Sequence, residues 1–240
     1  MTSTPRPTRG SRTRALIVDV AERLFAERGI AAVSNRQIGE AAGQGNNSAV
    51  GYHFGTKADL VRAIVRRHTE AMEHRRAELI AELDDSAELR DWVGCLVRPV
   101  TDHLASLPAP TWFGRFLAQA DAEPTLRQVI IDEVAGTPAM RRVVEGLARL
   151  RPHLPEQVRL ERGAMARILI VHVTAERESA LHDGAATPRA TWDDTARGLT
   201  AAICGIWQVP ADAADTTDAD ADDAPDADAP RTAPTRREGA

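Results

Sequence analysis

One Lys, one Tyr, two Cys and only 4% aromatic residues in 240 leave several protein classes without their materials. Cys95 and Cys204 form no CxxC pair and have no His at metal-ligand spacing, so a disulfide framework, a zinc site and a thiol redox motif are all excluded. Both are expected to be small buried hydrophobes. The longest apolar run, near Ile168 to Val173, is far too short to span a bilayer, and Asp19 interrupts the apolar residues Ala15 to Val18. Neither a transmembrane helix nor a signal peptide is therefore expected, and the protein reads as cytoplasmic. G-x-S-x-G, H-E-x-x-H and P-loop motifs are missing. Gly43, Gln44 and Gly45, with Ser48 in the last slot, make a failed G-x-G-x-x-G that follows a helix instead of a strand. No enzymatic activity, cofactor or metal is expected.

What is present is unevenly distributed. The net charge of -5 speaks mildly against a nucleic-acid partner until it is placed along the chain. Residues 1–68 carry 11 basic and 5 acidic side chains, a net of +6. Residues 69–210 carry a net of -5 and residues 211–240 a net of -6. Asymmetry of this kind points to nucleic-acid contact by the basic end.

The segmentation follows. Residues 1–11 mix Pro, Ser, Thr, Gly and Arg and read as a flexible basic arm, and residues 12–58 as a compact DNA-binding unit. Residues 59–209 read as a larger helical body. Residues 210–240 lack large apolar side chains and read as a disordered acidic tail whose expected role is solubility.

Within 12–58, Ile17, Val20, Ala21, Leu24 and Phe25 recur at helical spacing up to Gly29. Ser34 caps a second helix that carries Ile38, Ala41 and Ala42 and stops at Gly43. A tight turn leads to a third short helix, capped by Asn46 or Asn47, that carries Val50 and Phe54 inward. Gly55 breaks it. Thr56 and Asp59 then form a capping box that opens a long helix. Two short helices joined by a glycine-containing turn make a helix-turn-helix, whose second helix is narrow enough for the major groove. At its start Asn47, Ser48 and Ala49 offer an amide, a hydroxyl and a methyl to base edges, with plain capping as the alternative for the asparagines.

Beyond residue 70 the pattern stays helical, over about 86–106, 111–121, 125–133, 138–150, 155–182 and 191–207. Pro99 predicts a kink or break in the first of these. The fold class is all-α. The scarce aromatics Trp92, Trp112, Phe113 and Phe116, with Cys95, Leu96, Met140 and Met165, could line an apolar cavity in which His103, Gln119 or His172 anchors a ligand, with simple core as the alternative. The last two long helices carry Ile168, Val171 and Ala175, and Leu199, Ile203 and Trp207. They suit a four-helix dimer interface, although an intramolecular core could claim the same residues.

The stretches AERLFAERG (21–29), SNRQIGEAAG (34–43) and YHFGTKADL (52–60), in that order and spacing, resemble the DNA-binding domain of TetR-family transcriptional regulators. The resemblance implies a homodimeric all-helical repressor of a double-stranded operator, released by a small-molecule effector bound in the C-terminal domain. It implies that Tyr52 and Lys57 contact phosphate, that Ser34 and Arg36 touch backbone and sometimes a base, that Arg12 and Arg14 act as the N-terminal arm, and that His53 reaches phosphate or serves the core. One departure stands out: Gln44 to Phe54 counts 11 residues where the family pattern has about ten. The longer turn leaves Gln44, Asn47 and Ser48 as alternative base readers. A ligand-independent dimeric DNA-binding protein is the competing expectation.

Overall fold

A computed structural model describes residues 8–44, 49–151 and 153–211. The described residues form helices only, as expected, in the order α1 (Arg9–Arg28), α2 (Asn35–Ala41), α3 (Ala49–Phe54), α4 (Lys57–Ala81), α5 (Leu89–Ser106), α6 (Phe113–Ala122), α7 (Pro124–Ala135), α8 (Pro138–Leu150), α9 (Glu156–His182) and α10 (Trp192–Gln208). None of these helices is long and apolar enough to cross a membrane. The acidic tail and the first seven residues lie outside the described part.

Local chemistry sets the boundaries. Thr8 caps α1 by accepting from the Ser11 amide at 3.2 Å, so helix begins inside the segment expected to be arm. The hydroxyl of that threonine satisfies a first-turn N–H that would otherwise be orphaned. Capping boxes open α2 (Ser34, Gln37), α4 (Thr56, Asp59) and α10 (Thr191, Asp194). Proline occupies the first position of α7 and α8, where its missing N–H costs nothing. Gly29 and Gly55 close α1 and α3 with φ of 84° and 74°, in the left-handed region that side chains disfavour.

Two apolar clusters hold the protomer together. The first joins α1, α2, α3 and the N-terminal half of α4 to α6 and α7, with Phe25, Ile38, Leu60, Phe113 and Phe116 at its centre. The head therefore shares its core with two helices of the body, across the boundary at residue 58. In the second cluster α5 packs against α8 and α10, with Trp92, Val93, Val143, Leu199, Ile203 and Trp207.

Of the kink or break expected at Pro99, the break does not occur: α5 continues through the proline. The proline removes the amide that would bond the Cys95 carbonyl one turn back. Nε of Arg76, on α4, donates to that carbonyl at 3.2 Å, and the arginine is itself buried. Its Nη1 meets Glu73 at 3.1 Å, and Glu73 in turn accepts from the Ala139 amide at the start of α8 at 2.6 Å. A single buried guanidinium thus fills the gap in α5 and ties together α4, α5 and α8.

Candidate nucleic-acid interface

The surface around α3 is built from its short length. Val50 and Phe54, one turn apart, face inward and are buried, which turns Tyr52 outward at 85% exposure. Its ring meets His53 edge-on at 5.2 Å. The guanidinium of Arg14 lies over the Phe54 ring at 4.7 Å, so the first turns of α1 flank α3. Arg12 and Arg14 are carried on α1 itself and not on a separate arm. α3 thus presents an exposed aromatic hydroxyl, and the first turns of the flanking α1 carry two exposed cations.

Other expected contacts have their own partners. The Ser34 hydroxyl accepts from the Gln37 amide at 3.3 Å and donates to the Gln37 side chain at 2.9 Å, and Arg36 pairs with Glu40 at 3.5 Å on an exposed surface. Gln44 directs its amide to the Ala42 carbonyl at 3.0 Å. Ala49 opens α3 and is half-buried. Asn46, Asn47 and Ser48 lie outside the described residues.

Lys57 corrects the sequence expectation most clearly. Its ammonium points back into the head and donates to the carbonyls of Ile30 at 2.9 Å and Val33 at 2.8 Å, pinning the α1–α2 turn to the start of α4. Nor is the +6 of the head all turned outward. Arg62 and Arg66 pair with Glu133 on α7, and Arg67 pairs with Asp19 and Glu22 on α1.

A buried polar chain continues from that last pair, which the sequence did not reveal. His68 Nε2 lies 2.9 Å from Glu22, its Nδ1 lies 2.7 Å from His103 Nε2, and Phe113 stacks on its ring at 3.8 Å. A carboxylate only accepts, so His68 Nε2 donates to Glu22. With one proton on that ring, His103 Nε2 then donates to Nδ1. Burial and the neighbouring ring push the His103 pKa down to about 4. His103 thus joins head to body instead of anchoring a ligand.

The remaining expected cavity residues do not converge either. Phe113 and Phe116 sit in the first apolar cluster with Trp112 packed at its side, whereas Trp92 and Leu96 belong to the second. The Trp92 ring lies flat on Gly146, where an added Cβ would come within 2.4 Å of it. Met140 is half-buried, and Met165 and His172 are exposed on α9. Of the expected dimer residues, Leu199, Ile203 and Trp207 face α5 within the protomer, and Val171 and Ala175 are also buried there, while Ile168 remains 45% exposed. Cys95 and Cys204 are free and buried as expected, and burial pushes the Cys95 thiol up to about 11.

Residues 17–64 match the family model described as bacterial regulatory proteins, tetR family. Two curated proteins of Pseudomonas putida, the probable HTH-type transcriptional regulator ArpR and the HTH-type transcriptional regulator TtgR, are each 36% identical over 84 residues. The match covers 35% of this chain and 37% of each relative, little more than a third of their length. Over most of the chain the fold is similar to that of two crystal structures. Mycobacterium smegmatis AmtR has a TM-score of 0.53 at 16% identity, covering 88% of this chain and 92% of that one. RolR, solved in complex with resorcinol, has a TM-score of 0.50 at 19% identity, covering 85% and 97%.

Proposed function

We propose that this chain, whose residues 17–64 match the tetR family of bacterial regulatory proteins, is a cytoplasmic, non-enzymatic, sequence-specific DNA-binding regulator of transcription. It acts as a homodimeric repressor that a small-molecule effector releases from a pseudo-palindromic operator. The observation that carries this reading is the outward face of α3, where Tyr52 stands 85% exposed, together with the exposed Arg12 and Arg14 on the first turns of α1, which Arg14 holds against Phe54 of α3. A helix of six residues with one exposed aromatic hydroxyl enters a major groove about 12 Å wide, while cations on the flanking helix meet phosphates.

Dimerisation is supported by a face that keeps Ile168 of the residues the sequence suggested and replaces the others. Leu160, Met165 and Ile168 expose an apolar surface on α9, with relative exposures of 68%, 41% and 45%. On the neighbouring α10, Ala201, Ala202 and Gly205 are small and lie away from the α5 contact made by Leu199 and Ile203. Two such helices from each protomer pack as a four-helix bundle and hold the heads about one DNA turn apart.

Fluorescence anisotropy with duplex DNA tests the proposal. A dimer that neutralises about six to ten phosphates should show log K falling with log salt at a slope of about -5 to -9. Tyr52→Ala should weaken binding about tenfold on every sequence, as loss of a phosphate contact does. Affinity indifferent both to salt and to Tyr52 would contradict the assignment.

A further inference from the structure

We infer that the acidic segment 212–228 docks on the end of the body from which it emerges, where its aspartates pair with a group of arginines that have no carboxylate partner.

Charge is uneven within the body. Residues 69–210 carry a net of -5, yet the stretch 141–162, which spans most of α8 and the first turns of α9, holds six arginines against three glutamates, a net of +3. Among the described residues none of Arg141, Arg142, Arg149, Arg151, Arg159 and Arg162 forms an ion pair, whereas seven of the other ten arginines of the body do. The glutamates of the stretch, Glu145, Glu156 and Glu161, are exposed and form none either. The arginines meet neutral groups instead. Arg141 and Arg159 donate to the carbonyls of Gly136 and Leu154, each at 2.8 Å, and the Arg149 guanidinium lies over the Trp92 ring at 5.6 Å. Arg151 and the buried Arg162 donate to the Trp207 carbonyl at 3.4 and 3.2 Å. A guanidinium carries five N–H groups, so these single bonds leave most of each fork for a carboxylate.

The Trp207 carbonyl belongs to the last turn of α10, five residues before Asp212, so the arginines stand around the point at which the chain leaves the body. Segment 212–228 lies outside the described residues. It holds eight aspartates in 17 residues, with no basic and no large apolar side chain. Its full length is about 56 Å at 3.3 Å per residue, against about 12 Å along α8 from Arg141 to Arg149. Every exposed arginine of the group is therefore within reach. Exposed ion pairs are weak one at a time, but a tether rooted at the centre of the group keeps the partners at high effective concentration and lets several form together.

The basic head is a more distant partner. Thr200 of α10 lines one cleft with Leu79, near the end of α4, and α4 is a helix of 25 residues, about 37 Å long, that starts in the head at Lys57. Trp207 lies two turns further along α10. Aspartates docked there sit several Debye lengths of about 8 Å from the α3 face, where they neither compete with DNA nor repel it.

Scanning calorimetry on the full chain tests the inference through the sign of one shift. Undocked, the eight negative charges add self-repulsion to a body that is already at -5, so removing them would raise the melting temperature or leave it alone. Docked, they hold the body together. Replacing all eight aspartates of 212–228 by asparagine touches neither apolar cluster and should lower the melting temperature by about 2–4 °C at low salt. The difference should vanish at 1 M salt, where the Debye length is about 3 Å. Arg149→Gln, Arg151→Gln and Arg159→Gln together should lower the melting temperature as well, and in that background the asparagine substitutions should cost less than half as much. Should the triple variant fail to fold, the first comparison decides. A melting temperature that the asparagine substitutions raise or leave unchanged, or a drop of equal size in both backgrounds, would overturn the inference. A tenfold gain in DNA affinity by the asparagine variant would also overturn it, by assigning the segment to the head.

Discussion

Arg76→Ala is expected to lower the stability of the protomer by about 3–5 kcal/mol, the cost of breaking a buried ion pair by removing one partner. The guanidinium is buried, supplies the hydrogen bond that Pro99 cannot, and neutralises Glu73, which holds the first turn of α8. Alanine leaves the buried Cys95 carbonyl without its donor and removes the cation beside the Glu73 carboxylate, which among the described residues keeps only the Ala139 amide. Against a total of about 5–15 kcal/mol, such a loss is a large fraction of the fold. Urea denaturation followed by circular dichroism measures it. The cause can be isolated with Pro99→Ala, which restores an amide opposite the Cys95 carbonyl. In that background Arg76→Ala should cost about 1 kcal/mol less, the net worth of one hydrogen bond. A loss below about 1 kcal/mol in the wild-type background would show that the guanidinium does not complete α5.

Lys57→Ala is expected to destabilise the head by about 2–4 kcal/mol, because two charge-assisted bonds to the Ile30 and Val33 carbonyls disappear together. DNA affinity should fall about a hundredfold, since the α1–α2 turn no longer fixes α2 and α3 against α4. A lysine serving only as a phosphate contact behaves differently. Its removal would leave the melting temperature unchanged, cost about tenfold in affinity, and reduce the salt slope by about one per protomer. Calorimetric melting beside anisotropy titrations in two salt concentrations distinguishes these outcomes.

The sequence made the elements readable because helix boundaries are local. Ser34 with Gln37 and Thr56 with Asp59 lie three positions apart, and Gly29, Gly43 and Gly55 end helices through their own backbone conformation. The inward set Val50 and Phe54 followed from the same local period, and so did the outward Tyr52 between them.

Long-range pairings were not readable. Lys57 meets carbonyls 24 and 27 positions earlier, and a first-turn lysine carries no mark of whether it faces solvent or the preceding turn. The Pro99 break failed to appear because its remedy sits 19 positions away from the carbonyl it satisfies, on another helix. Charge counting misread the head for a similar reason. Arg62, Arg66 and Arg67 add to the +6, yet they are spent on Glu133, Asp19 and Glu22. Apolar periodicity showed that α10 has a stripe but not what the stripe faces, and Leu199, Ile203 and Trp207 turn to α5. Proximity along the chain also suggested one aromatic cavity where the fold divides those rings between two cores.

The central claim is that the α3 face reads DNA as one half of a two-fold assembly. Selection of bound sequences from a random duplex pool tests it most directly. The account predicts recovery of a pseudo-palindrome with half-sites about one helical turn apart, and recovery of the same sequence, bound about tenfold more weakly, with Tyr52→Ala. A pool that stays unenriched at low salt, or affinity for the recovered sequence that Tyr52→Ala leaves unchanged, would contradict it.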